Sequence, residues 1–191
     1  MTKERLEAFS DGVMAVAITI MVLDMKVPAG VDLRALASDA PVFVAYALSF
    51  TNVGIFWTNH HHMLRVSKHI DGRVLWANLF LLFWITLIPF EVRWVDDTHL
   101  ASLPTAGYGA ILVMCALGYL VLERALIAVN GQDSELATAI GGRTKEYLSL
   151  ALYIAGAGLA FFRPWIAVAL YIAVAIMWFV PDRRIESRLK A

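Results

Sequence analysis

The chain has 191 residues, 60% of them hydrophobic and 17% charged, with a mean hydropathy of +0.67. That is more apolar side chain than a soluble core of this size can hide, so the composition is that of an integral membrane protein. A formal net charge of zero argues against a nucleic-acid partner, and a single cysteine, Cys115, excludes an intrachain disulfide scaffold and a cysteine-based metal cage.

A window of about 20 residues, enough to cross a hydrocarbon core about 30 Å thick, predicts six transmembrane helices, at about 8–26, 41–65, 73–95, 105–128, 146–162 and 164–181. Apolar runs this long, without alternation at period two, favour helices over the strands of an outer-membrane barrel. The breaks carry turn residues: Val27-Pro28-Ala29-Gly30, Asp71-Gly72, Asp96-Asp97, Leu103-Pro104, Asn130-Gly131, Gly141-Gly142 and Arg163-Pro164, the last predicting a tight hairpin. The expected fold is thus an all-α membrane protein, one six-helix domain over residues 1–191 with no soluble domain left over.

Lys and Arg divide unequally between the two sides. The N-terminus, the loops around Arg65, Lys68 and Arg73 and around Arg124, Arg143 and Lys145, and the tail with Arg183, Arg184, Arg188 and Lys190 hold twelve, against four at Lys26, Arg34, Arg93 and Arg163. The excess predicts that both termini are cytoplasmic, as six spans require, in a multi-pass protein of the plasma membrane. Lys3 and Arg5 ahead of an apolar run, with Ala35-Leu36-Ala37 beyond it, have the outline of a signal peptide, but Glu4, Glu7, Asp11, Asp24, Lys26 and Arg34 argue against one.

The first span is unusual. Its uninterrupted apolar part, Gly12 to Leu23, covers only about 18 Å at 1.5 Å per residue, which suits a helix inside a bundle or along a pore better than one facing lipid. Projected at about 100° per residue, Phe9, Val13, Val16, Ile20 and Leu23 form one stripe with Thr19 at its edge, and Asp11 lies about 140° from Val16. Periodicity alone fits either a core ridge or a pore lining.

Arg5 and Asp11 at the mouth of this helix require partners at their own depth. The second span, running inward, carries Trp57, Asn59, His60 and His61 just before Arg65, and the third begins there with Arg73, Trp76 and Asn78. Three helices are therefore expected to bring Arg5, Ser10, Asp11, Trp57, Asn59, His60 or His61 and Asn78 to one layer, a polar network that fixes helix register. His60-His61-His62 does not read as a metal site, because consecutive helical residues diverge by about 100°. No nucleophile elbow, phosphate loop, dinucleotide fingerprint or zinc-protease helix occurs, so the chain is not read as an enzyme and no cofactor is expected. Gly156-Ala157-Gly158 allows close helix contact, and Cys115 reads as a packing residue. A proton-coupled transporter using Asp11 and a second-span histidine is the alternative from another class.

Arg5, then Phe9-Ser10-Asp11-Gly12, Ala17-Ile18-Thr19-Ile20 and Leu23-Asp24 in the first span resemble the signature of the transmembrane protein 175 family of potassium channels. Trp57-Thr58-Asn59-His60-His61 and Asn78-Leu79-Phe80-Leu81-Leu82 with Pro89-Phe90 also resemble its prokaryotic members. The resemblance implies a channel permeable to potassium ions, without a carbonyl filter loop. It implies a homotetramer whose first helices surround the axis, and a constriction and selectivity region at Val16, Thr19, Ile20 and Leu23. Phe9, Arg5, Ser10, Asp11, Trp57, Asn59, His60 and His61 then hold that helix in place. Val16 departs from the larger Ile or Leu usual at its position, which implies a wider ring there or a constriction moved to Ile20 or Leu23.

Overall fold

The computed structural model describes residues 2–23, 25, 27, 28, 30–38, 40–140 and 142–179. Asp24, Lys26, Gly141, the end of the last predicted span and the basic tail of Arg183, Arg184, Arg188 and Lys190 lie outside them. Among the described residues all regular structure is helical: α1 (Lys3–Leu23), α2 (Leu33–Ser38), α3 (Ala40–Val66), α4 (Gly72–Thr86), α5 (Ile88–Asp97), α6 (Ser102–Asn130), α7 (Glu135–Ile140), α8 (Thr144–Leu159) and α9 (Pro164–Phe179). Lys3–Leu23, Gly72–Asp97 and Ser102–Asn130 are long and apolar enough to cross a membrane.

The differences from the expected spans have local causes. The predicted helix over 73–95 is two helices joined at Leu87, because Pro89 has no N–H for the carbonyl of Ile85 and its ring crowds that carbonyl. Leu87 N–H turns instead to the carbonyl of Trp84, at 3.2 Å, and closes a tighter turn. The first helix starts at Lys3 and not near residue 8: Lys3 Nζ donates to the carbonyls of Arg65 and Ser67, at 3.1 and 3.0 Å, tying the start of α1 to the end of α3. The short helices α2 and α7, six residues each, are too brief for the hydropathy window to register.

Helix α6 is the centre of the molecule. It packs against α4 and α5 on one side and α8 and α9 on the other, and its buried residues include Tyr108, Ile111, Leu112, Cys115, Leu122 and Leu126. Helix α1 packs against α3, α4 and α5. Asn130 at the end of α6 accepts from Lys68 N and His69 N, at 2.8 and 2.9 Å, and so staples the loop between α3 and α4.

The α8–α9 hairpin closes on α6 through Tyr171, which is fully buried and donates its hydroxyl to the carbonyl of Thr105 at 3.2 Å. Gly109 and Gly156 make room for this ring; a Cβ at Gly156 would stand 2.5 Å from its Cε1, and one at Gly109 would overlap the hydroxyl. Gly109→Ala should therefore destabilise the fold by about 1 kcal/mol or more through overpacking. Adding Tyr171→Phe should return part of that loss, which thermal unfolding of the purified single and double variants checks.

Candidate functional site

Helix α1 turns one ridge inward. Leu6, Ser10, Met14, Ala17 and Met21, at helical spacing, are its buried residues. They lie on a different face from the Val16 stripe. Val13 is half-buried against the core, but Val16 is 56% exposed, Ile20 43% and Leu23 81%, and Phe9 and Thr19 are exposed with them. Within the subunit the stripe is not the packing ridge: Leu6, Ser10, Met14, Ala17 and Met21 make the internal contacts. Phe9, Val13, Val16 and Ile20 line an open apolar groove of about 740 Å³ whose far wall is Thr86, Pro89, Phe90 and Arg93. The break at Leu87 helps shape that wall. Thr19 Oγ1 donates to the carbonyls of Ala15 and Val16, both at 3.0 Å, so its hydroxyl hydrogen is held by its own helix.

The polar layer forms two separate branches. In the buried one, Ser10 Oγ donates to the carbonyl of Leu6 at 2.8 Å and accepts from Asn78 Nδ2 at 2.9 Å. Asn78 Oδ1 lies 2.7 Å from His60 Nε2. An amide oxygen can only accept, so Nε2 carries the imidazole proton, and Nδ1 is a buried acceptor with no partner among the described residues. Ser10, His60 and Asn78 all have 0% exposure, so α1, α3 and α4 are pinned where water does not compete.

The second branch is at the surface. Trp57 Nε1 donates to Asp11 Oδ1 at 2.8 Å, and Trp57 stacks on His61, whose Nδ1 is 3.6 Å from Glu7 Oε1. Glu7 was missed in the sequence, although it is four residues before Asp11 and hence on the same helical face. Two expected members stand apart. Asn59 donates its amide to the carbonyl of Ile55 at 2.8 Å, on another face of α3, and Arg5 is exposed and belongs to neither branch. Asp11 and His60 fall in different branches, and no hydrogen bond among the described residues joins the two. Among the described residues no three His, Cys, Asp or Glu are grouped to hold a metal ion.

The sequence profile of the family described as endosomal/lysosomal potassium channel TMEM175 matches residues 5–89, the stretch that holds the α1 stripe and both branches. A potassium channel of Chryseobacterium sp. (strain P1-3) is 48% identical over 190 residues, covering 100% of this chain and 99% of its own. This chain belongs to the TMEM175 family. A solved structure, the crystal structure of a lysosomal potassium-selective channel TMEM175 homolog from Chamaesiphon minutus, superposes with a TM-score of 0.78 at 27% identity, covering 93% of this chain and 96% of that one. The human TMEM175, named an endosomal/lysosomal proton channel, is 31% identical over 182 residues; the match covers 84% of this chain but 36% of the human protein. TMEM175 is a family of multi-pass membrane channels and not of enzymes.

Proposed function

We propose that this protein is a potassium-permeable channel of the plasma membrane. In this reading six spans, with both termini in the cytoplasm, assemble as a homotetramer whose α1 helices surround the pore. Val16, Ile20 and Leu23 form a hydrophobic ring that is gate and filter together, with Thr19 beside it. The observation that carries this is the exposed α1 stripe: three large apolar residues in a row on a helix whose internal contacts are made by another face. An exposed apolar patch on a membrane helix can face lipid, a neighbouring copy or a pore, and the apolar length of about 18 Å is short for lipid. The bacterial relative named a potassium channel supplies the ion. α3, α8 and α9, at 27, 16 and 16 residues, complete the six crossings together with α1, α4–α5 and α6.

Physically, an apolar ring closes a pore by dewetting, and an ion passes only by giving up part of its hydration. Potassium loses water more cheaply than sodium, so such a ring favours it without any carbonyl ligand. The buried branch of Ser10, Asn78 and His60 fixes the height and rotation of α1, and with them which side chains face the axis.

Oxidative cross-linking tests the assembly. The native thiol is buried, so Leu23→Cys in a Cys115→Ala background should give disulfide-linked dimers in membranes, because Leu23 residues of adjacent copies meet around the axis. Phe162→Cys, exposed at the far hairpin, should give none. Cross-linking at Phe162 and not at Leu23 would remove α1 from the axis. The human relative's name favours a proton path as the second reading, and flux with a proton ionophore absent and present distinguishes it: potassium current that persists without proton movement excludes that reading.

A further inference from the structure

Glu91 occupies a core position of α5. It shares a face with Ile88, three residues before it, and Val95, four after it, both buried, and is itself only 6% exposed. Its carboxyl lies against α6, where a Cβ on Gly107 would stand 2.9 and 3.0 Å from the two oxygens. Oε2 has no hydrogen-bond partner among the described residues. We propose that Glu91 is a proton-binding site at the end of the bundle opposite Lys3, and that the bound proton keeps α5 seated on α6.

The charges around the carboxyl decide the ligand. Glu123 shows how this chain keeps a buried carboxylate ionised: it is 1% exposed and takes Arg143 Nε at 2.6 Å. Glu91 has no such neighbour. The only basic residue of α5, Arg93, projects about 200° away from it and pairs with Asp97 at 3.7 Å. Asp96 and Asp97, with His99 in the turn after them, lie beyond it toward solvent. On the helices packed against α5, no charged residue follows Asp11 in α1 or Arg73 in α4, and none precedes His60 in α3 or Glu123 in α6, all of them toward the other end of the bundle. Tyr46 of α3 and Tyr108 of α6 are the titratable groups nearer this end, with Tyr171 behind Tyr108. The hydroxyl of Tyr108 is engaged with Ser49 and Asn52, and that of Tyr171 with the carbonyl of Thr105. A carboxylate left ionised without counter-charge or donors is too costly in such a place, and the group takes up a proton instead. A metal ion would need several further ligands, and no three His, Cys, Asp or Glu are grouped among the described residues.

The break at Leu87 turns the proton into a latch. Glu91 N–H donates to the carbonyl of Leu87 at 3.2 Å, so its side chain hangs one turn beyond the junction of α4 and α5. Once the proton leaves, the carboxylate reaches water only if α5 swings away from Gly107. Phe90 and Arg93, on the wall of the groove that faces the α1 stripe, move with it. The site itself does not require that α1 conduct.

Infrared spectra of the full chain in lipid test this directly. The difference between wild type and Glu91→Gln should contain the carbonyl band of a protonated carboxylic acid, and that band should disappear as pH is raised. Melting separates the proton from packing. The folded chain holds this proton and the unfolded chain releases it, so wild-type stability falls as pH rises between the pH at which an exposed glutamate ionises and the pH at which the band disappears. Over that window wild-type melting should drop by about 3–6 °C per pH unit relative to Glu91→Gln, whatever the offset between the two at low pH. Where the band is gone, amide exchange in α5 should be faster in wild type than in Glu91→Gln at the same pH. A difference spectrum without the band, or melting curves that stay parallel, would overturn the proton site; equal exchange in α5 would overturn the latch.

Discussion

Liposomes carrying Ile20→Asn or Leu23→Asn should leak potassium well above wild type, and sodium with it. The stripe is already exposed in the subunit, so neither substitution opens a hole in the buried core; Ile20 and Leu23 are 43% and 81% exposed. What changes is the wetting of the ring. An amide holds water where a branched alkyl side chain repels it, and a tetramer introduces four amides at one height. If the substitution removes as little as about 1.4 kcal/mol from the barrier, flux rises about tenfold. Selectivity should fall in the same variant, because an ion that passes with its water shell intact is not sorted by the cost of losing it. Val16→Leu should act in the opposite direction by narrowing the wider end of the ring. The measurement is potassium and sodium flux into liposomes at matched protein content. Wild-type flux and selectivity in both asparagine variants would take these residues out of the pore.

The second large effect is expected at Asn78. Asn78→Leu leaves the His60 Nε2–H without its 2.7 Å acceptor in a site with no exposure. A buried polar group left unpaired costs about 1–3 kcal/mol. For a chain of this length each kcal/mol moves the melting temperature by about 2–4 °C. Because Asn78 also holds Ser10, the variant should free α1 to shift against α3 and α4, so channel open time should change together with stability. Trp57→Phe is the contrast. It removes the 2.8 Å bond to Asp11, but both groups reach solvent, so water replaces the bond and melting should move little. Differential scanning fluorimetry of the two variants, beside Ser10→Ala, separates the branches. Equal shifts in Asn78→Leu and Trp57→Phe would mean that burial does not decide which branch carries stability.

Much of the first helix is legible in the order of its amino acids. The Phe9, Val16, Ile20 and Leu23 stripe follows from spacing, as does the offset of Asp11, because both depend only on the helical period. Trp57, His60, Asn78 and Asp11 fall at one depth because the helices run in alternate directions. Pairing is not legible in the same way. Spacing puts Asn59 beside His60 in one layer, yet the two side chains project about 100° apart; Asn59 bonds within α3 and His60 bonds to α4. Arg5, expected in the network, is on the exposed side of α1. Glu7 enters it instead because its position matches that of His61 across the helix contact, which no single helix discloses.

By itself, then, the sequence determined the solvent, the helical class, the apolar stripe and the presence of polar residues near one end of the first helix. These are properties of composition and of a fixed period of about 3.6 residues. The tertiary structure decided which face of α1 is spent on packing, and that Ser10, Asn78 and His60 form a closed buried branch while Asp11 and Trp57 stay at the surface. Each of those depends on the rotation of one helix against another. Rotation is set by the sum of many small contacts from several helices, such as the Tyr171 ring seated between Gly109 and Gly156, and by the break that Pro89 puts into the α4–α5 pair.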